Sequence, residues 1–224
     1  LAFLRSSGDS SLNDKDENIT MIFPLYDEEV HVLASQSIRT FSCLQGKKVA
    51  VGAKGSGSSI TASLLFKKSG VIPDQIIYLD AETALDQLRS KKIDAMIYVA
   101  GYPVSLFSQI TARDELHLVP ITDRKIGPPY IMSSIPARTY RWQENIVSTI
   151  AVKAVLAGYS YEEDDPASQK ACDIGKIIYS NIDWLKQNGH QKWHDVRWLY
   201  DELQGWEKNV CVDNAVKKII SSQF

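Results

Sequence analysis

The segment Val49-Ala50-Val51-Gly52-Ala53-Lys54-Gly55-Ser56-Gly57-Ser58-Ser59-Ile60 carries the residues best suited to hold a ligand. It reads as a strand, a Gly/Ser turn and a helix start. A helix beginning there leaves backbone N–H groups without intrahelical acceptors, and the aligned peptide dipoles add positive potential at that end. Glycines let a guest approach the main chain, and serines add hydroxyl donors. The chemistry expected of Ser56, Gly57, Ser58 and Ser59 is therefore capture of an anion, a carboxylate or a phosphate. The plain alternative is a Gly-rich turn in which Ser58 or Ser59 caps the helix. Two nucleotide readings are excluded. The Walker pattern needs Gly-Lys-Ser/Thr, and here Ser58 follows Gly57. The dinucleotide fingerprint needs a third glycine where Ile60 stands.

A second segment, Ile93-Asp94-Ala95-Met96-Ile97-Tyr98-Val99-Ala100-Gly101-Tyr102-Pro103, repeats the strand, turn and helix arrangement. It predicts a second helix N-terminus at the same C-terminal edge of the sheet, where ligands of open α/β folds bind. Tyr102 and Pro103 would border that site; the alternative for Tyr102 is a surface aromatic in a turn. Catalytic groups do not cluster. His31, His117, His190 and His194 read as surface or helix-end residues. His190 and His194 stand four apart, but Gln191 occupies the place where a zinc-binding motif needs Glu. Gly55-Ser56-Gly57 lacks the spacing of a nucleophile elbow. Glu162-Glu163-Asp164-Asp165 reads as a solvated helix start that suits the dipole. No catalytic residue, metal ligand or cofactor is assigned.

The elements that must position these groups follow from periodicity. Leu1–Leu4 reads as the end of a buried strand and residues 5–18 as a polar loop. Two strands, or a strand and a bend, are predicted in 19–34, divided by Pro24 and Asp27-Glu28-Glu29. Strand and helix then alternate through 47–122, the pattern of an α/β layer with parallel strands. Within it, Gly70 ends the first helix, Asp80 caps the second, and Pro103 sits in the first turn of a third whose inner face is Val104, Phe107 and Ile110. Residues 123–145 are irregular and 146–156 apolar. Asp165-Pro166 opens a helix that runs to Gly189, with Ile174, Ile177, Ile178, Ile182 and Leu185 inward. The tail predicts two amphipathic helices, one lined by Trp193, Val196, Leu199 and Leu203, the other by Ala215, Val216, Ile219 and Ile220.

The 224 residues, 44% of them hydrophobic, suffice for one large domain or two lobes of roughly 100 residues each. Charge is balanced, 25 Lys+Arg against 27 Asp+Glu, with no basic run, which excludes a nucleic-acid partner. Three cysteines, Cys43, Cys172 and Cys211, permit one bridge plus a free thiol, or none. No apolar run reaches the length needed to cross a bilayer.

An ordered set of segments resembles the TAXI-type solute-binding receptors of TRAP transporters. It comprises Leu25-Tyr26-Asp27-Glu28-Glu29-Val30-His31-Val32, Leu44-Gln45-Gly46-Lys47-Lys48-Val49-Ala50-Val51-Gly52, Gly55-Ser56-Gly57-Ser58, Lys92-Ile93-Asp94-Ala95-Met96, Val99-Ala100-Gly101-Tyr102-Pro103 and Ile135-Pro136-Ala137-Arg138-Thr139-Tyr140. The chain departs from that pattern at Ser58, where the family has Thr, and at Arg138, where it has Gly. The resemblance implies a type II periplasmic-binding α/β fold: one complete α/β lobe, a partial second lobe and a C-terminal helical extension. The expected division is 1–42 (partial lobe I), 43–122 (lobe II) and 123–224 (return to lobe I and C-terminal helices). It implies a receptor, not an enzyme, that binds a small carboxylate, an amino acid or a dicarboxylate, between the lobes. Ligand contacts would come from Ser56, Gly57, Ser58, Ser59, Tyr102, Pro103 and Tyr140. The partners would be membrane permease subunits, and the location periplasmic or extracytoplasmic. It further implies a missing segment before Leu1, with a signal peptide and the first half of lobe I, so that an incomplete lobe would favour association between copies. The alternative on the same fold is a ligand-sensing effector domain of a regulator.

Overall fold

A computed structural model describes residues 19–123, 125–128, 130–160, 165–197, 203 and 206–221. The strand read at Leu1–Leu4, the loop at 5–18, the acids Glu162, Glu163 and Asp164, and Leu199 lie outside these residues. The strands are β1 (Ile19–Ser35), β2 (Lys48–Ala50), β3 (Gln75–Ile77), β4 (Ala95–Ala100), β5 (Leu116–Leu118), β6 (Ile131–Ile135) and β7 (Val147–Tyr159). The α-helices are α1 (Gly57–Ser69), α2 (Ala81–Arg89), α3 (Pro166–Ser180), α4 (Ile182–Asn188) and α5 (Val210–Ser221). The strands form one mixed sheet in the order β3-β2-β4-β1-β7-β6, with β5 pairing to β1. The α/β class read from the sequence is the class observed.

Local chemistry places most boundaries. Ser56 and Asp80 cap α1 and α2 by accepting from Ser59 N and Thr83 N. Gly70, at φ 72°, closes α1 in the left-handed conformation that glycine adopts without strain. Asp165 caps α3, and Pro166 sits in its first turn, where a missing N–H is harmless. Other boundaries differ from expectation. β1 is one strand, not two, because Pro24 removes a single donor while its fixed φ suits extended backbone. The helix expected to reach Gly189 breaks at Asn181, whose side-chain amide donates to Ile177 O at 2.8 Å. The helix read from Trp193 onward is, in its described part, a 3-10 turn at Gln191–Asp195. The irregular stretch contains β6.

The chain forms two compact units, one of residues 28–152 and one of 1–27 with 153–224. The boundary crosses β1 between Asp27 and Glu28, and β7 between Val152 and Lys153. The division expected at 43 and 122 differs from this. Glu29–Ala34 of β1 pairs antiparallel with Ala95–Ala100 of β4, and β7 pairs with β6 through Val147–Ala151, so both flanking segments join the 28–152 unit. In that unit β2 lies parallel to β3 and β4. Ala84, Leu85 and Leu88 of α2 bury against Leu33, Met96, Phe107 and Tyr140. β6 ends the strand order and exposes Ile131 and Met132.

In the unit of 1–27 and 153–224, Ile22 and Phe23 pack with Ala171, Val196, Val212 and Val216. A disulfide joins Cys172 of α3 to Cys211 of α5, with Cα atoms 5.4 Å apart. The helices approach so closely there that a Cβ on Gly175 would fall inside the Val212 side chain. Cys43 is exposed and free. One thiol per native chain should therefore react with a maleimide, and three after reduction and unfolding. Labelling of all three before reduction would show the bridge to be absent.

Candidate functional site

β2 delivers the chain to Gly52, whose φ of +87° only glycine adopts easily, and a Cβ there would stand 2.9 Å from Ser56 Oγ and 3.0 Å from Ser58 Cβ. That turn folds the serines back over the strand end. Ser56 Oγ accepts from Ser59 N at 3.2 Å, and Ser59 Oγ returns a bond to Ser56 O at 2.8 Å. Ser58 is buried, and its Oγ accepts from Val99 N of β4 at 3.1 Å. The three hydroxyls expected to grip a ligand are thus engaged within the protein. Among the described residues, the N–H groups of Gly57 and Ser58 meet no acceptor. The first turn of α1 carries no acidic side chain, whereas α2 has Glu82 there. No acid in its own first turn compensates the positive end of the α1 dipole.

Ser58 ties this helix start to Val99, three residues before Tyr102. Beyond β4 the chain passes Gly101 and a cis Tyr102-Pro103 peptide. Both Tyr102 and Pro103 are half-buried. The second helix N-terminus expected at Pro103 is not formed. Val104 stays extended (φ −83°, ψ 120°), and only a short 3-10 turn, Ser105–Gln109, follows. A turn of that length aligns too few peptides for an appreciable dipole.

Tyr140 reaches the same segment from the turn after β6. Its hydroxyl accepts from Val104 N at 3.0 Å and lies 3.0 Å from His31 Nε2. The turn is built by Gln143, whose amide donates to Pro136 O at 2.9 Å and Asn145 O at 2.7 Å. Arg138, at φ 62°, fills the left-handed position where the resembled family has glycine. Tyr140 is 1% exposed, so it supports the site from within the protein. Burial pushes its phenol well above the ordinary value; the Val104 bond opposes this and the Glu29 charge adds to it. Burial also pushes Tyr130 up to about 12, opposed by a bond to Thr61 of α1. Glu28 is raised by burial first and by neighbouring Glu29 second.

Of the seven expected residues, Tyr102 and Pro103 lie in the segment Val99–Val104, Ser58 and Tyr140 are bonded to it, and Ser56 and Ser59 bond each other at the start of α1. Ser58 and Tyr140 each take a backbone N–H of that segment, at Val99 and Val104. Sequence reasoning passed over His31 and Glu29. His31, read as a surface residue, is fully buried on β1, directly across from Tyr98. Glu29, 1% exposed, accepts from Ser133 Oγ at 3.2 Å. The available signal was polar residues at alternate positions of an apolar strand, which a period of two places on one face. His117 Nε2 donates to Ile38 O at 2.8 Å, since a carbonyl cannot give a proton. His190 caps the 3-10 turn at Gln191, and His194 is exposed.

A family model described as the NMT1-like family matches residues 4–198. Among solved structures, an ancestral arginine-binding protein bound to glutamine is 14% identical, covering 89% of this chain and 76% of its own, with a TM-score of 0.44. The arginine-, lysine-, histidine-binding protein ArtJ from the thermophilic bacterium Geobacillus stearothermophilus is 13% identical over 86% of this chain and 68% of its own, TM-score 0.46. The effector binding domain of QuiR in complex with shikimate is 14% identical over 73% and 66%, TM-score 0.41.

Proposed function

We propose, from the premise that this chain belongs to the NMT1-like family, that it is a solute-binding receptor and not a catalyst. Its ligand is a small carboxylate, an amino acid or a dicarboxylate, which it hands to a TRAP-type membrane permease outside the cytoplasm, on a type II periplasmic-binding architecture. The observation that carries this reading is the start of α1. Two N–H groups without acceptors, at Gly57 and Ser58, stand at a helix end that has no acid in its first turn. A carboxylate is the guest such an end takes. Tyr102 and Pro103 are assigned to its border on the strength of the Ser58 bond to Val99, three residues before Tyr102. The Cys172–Cys211 bridge suits an oxidising compartment.

Calorimetric titration with glutamate and with small dicarboxylates tests the site. Hydrogen bonds to a charged group contribute about 1.5–3 kcal/mol each. Ser58→Asp sets a carboxylate among the donors that a bound ligand would use, so affinity should fall at least about tenfold, or roughly 1.4 kcal/mol. Ser58→Ala keeps the backbone donors and should weaken binding less. Its main effect falls on folding, because the Val99 N–H loses its acceptor, at a cost of about 1–3 kcal/mol. A folded Ser58→Asp protein that binds as tightly as the parent would place the site elsewhere.

A further inference from the structure

Three hydrogen bonds run from the segment bordering the candidate site to the middle of the sheet, and elementary valence fixes the proton in each. The carbonyl of Glu29 can only accept, so His31 Nδ1, 3.0 Å away, carries hydrogen. The N–H of Val104 can only donate, so the Tyr140 oxygen accepts it. The tyrosine's own proton then points to His31 Nε2, which accepts when the ring is neutral. Val104, Tyr140 and His31 are all buried. Phe107 closes the surroundings edge-on, 5.5 Å from the His31 ring and 6.0 Å from Tyr140. Trp142 stacks on Tyr140 at 5.3 Å and donates to Phe107 O at 2.8 Å. The same aromatic group therefore grips the 3-10 turn that follows Val104.

We propose that His31 is a positioning residue for the ligand site, holding Val104 through Tyr140, and that one proton added at Nε2 releases that hold. This rests on the reading of the site given above. With Nε2 protonated, His31 and Val104 would both donate to the Tyr140 oxygen, and the tyrosine's proton would lose its acceptor in a buried place. A buried donor without an acceptor is unfavourable, so the arrangement rearranges. The titratable groups facing the ring among the described residues are Glu29, two positions along β1, Tyr98 across on β4, and Tyr140. The 3-10 turn brings Phe107, which does not titrate. Acid should therefore loosen the Val99–Val104 border and weaken the carboxylate's seat.

The test pairs a reading of the bond with a reading of binding. Hydrogen exchange at the Val104 amide, corrected for intrinsic rate, is followed from about pH 8 to about pH 5, across the imidazole range. Glutamate is titrated calorimetrically over the same span. Protection at Val104 should fall about tenfold or more relative to Leu33 and Ile97 amides, and glutamate affinity should fall with it. His31→Gln offers an amide oxygen to Tyr140 that acid cannot protonate; Val104 should stay protected and both profiles should flatten. His31→Leu should leave Val104 unprotected throughout. A pH-independent wild type, or a His31→Gln profile identical to it, overturns the proposal. Val104 protection that moves while glutamate affinity stays constant overturns the link to the site. Failure of every variant to bind glutamate, with the exchange pattern as expected, removes the site reading and leaves the proton-dependent hold established.

Discussion

Replacing Cys172 and Cys211 together by serine should lower stability by about 4 kcal/mol. The cysteines stand 39 positions apart, and a cross-link over that span removes a corresponding share of the unfolded chain's freedom. Against a typical total of about 5–15 kcal/mol, that loss is large. It should be confined to the unit of 1–27 and 153–224, since the bridge joins α3 and α5 within it. The same two helices meet at Gly175 and Val212, where no side chain larger than hydrogen fits, so loss of the bridge also loosens a close backbone approach. Urea unfolding of the double variant, compared with the parent with and without reductant, gives the measurement. The reduced parent should match the variant. A difference below about 1 kcal/mol would mean that helix packing alone holds the pair.

Phe107→Ala should cost about 3–5 kcal/mol in the other unit, the range for a buried aromatic truncated in a core. Phe107 is fully buried and touches His31, Tyr98 and Tyr140 edge-on. The alanine leaves a cavity against three rings, two of which, His31 and Tyr140, are bonded to one another, so collapse around it is limited. Trp142 is the sole tryptophan between Glu28 and Val152, and its ring stacks on Tyr140, so its emission reports this region. Phe107→Leu should lose less than Phe107→Ala, because more of the volume is kept. Equal losses in the two variants would show that the edge contacts, and not the filled volume, are what the site depends on. A loss below about 1 kcal/mol for Phe107→Ala would mean that the turn after Val104 is held by hydrogen bonds alone.

What was legible in the sequence was local. Gly70, Asp80 and Asp165-Pro166 act on backbone within four residues of themselves, and each stands where it was expected; the cap of α1, read at Ser58 or Ser59, is Ser56 instead. The amphipathic stripe of α2 was equally plain, because a helix writes its buried face into a short window. Illegible features join distant positions. Nothing near Ser58 announces that its hydroxyl serves Val99, 41 residues on, and Tyr140 meets His31 across 109. The extent of the 28–152 unit was hidden for a related reason: β1 and β7 enter it by pairing, and pairing partners cannot be read from periodicity. The expected helix at Pro103 failed on a single residue, since Val104 stays extended to give its N–H to Tyr140.

The last strand in the order, β6, has a consequence for how the protein behaves at high concentration. Its sequence, Ile131-Met132-Ser133-Ser134-Ile135, contains no charge and no proline. Ile131 and Met132 are each about half exposed, 50% and 55%, and adjacent strand residues point to opposite faces. Among the described residues no strand lies beyond β6, so a chain laid alongside would find main-chain groups ready to bond and apolar cover above and below. Natural edges usually blunt such an approach with lysine, proline or a bulge. Here crowding works in favour of lateral strand addition, and a lysine at Met132 would oppose it by making every such encounter bury a charge.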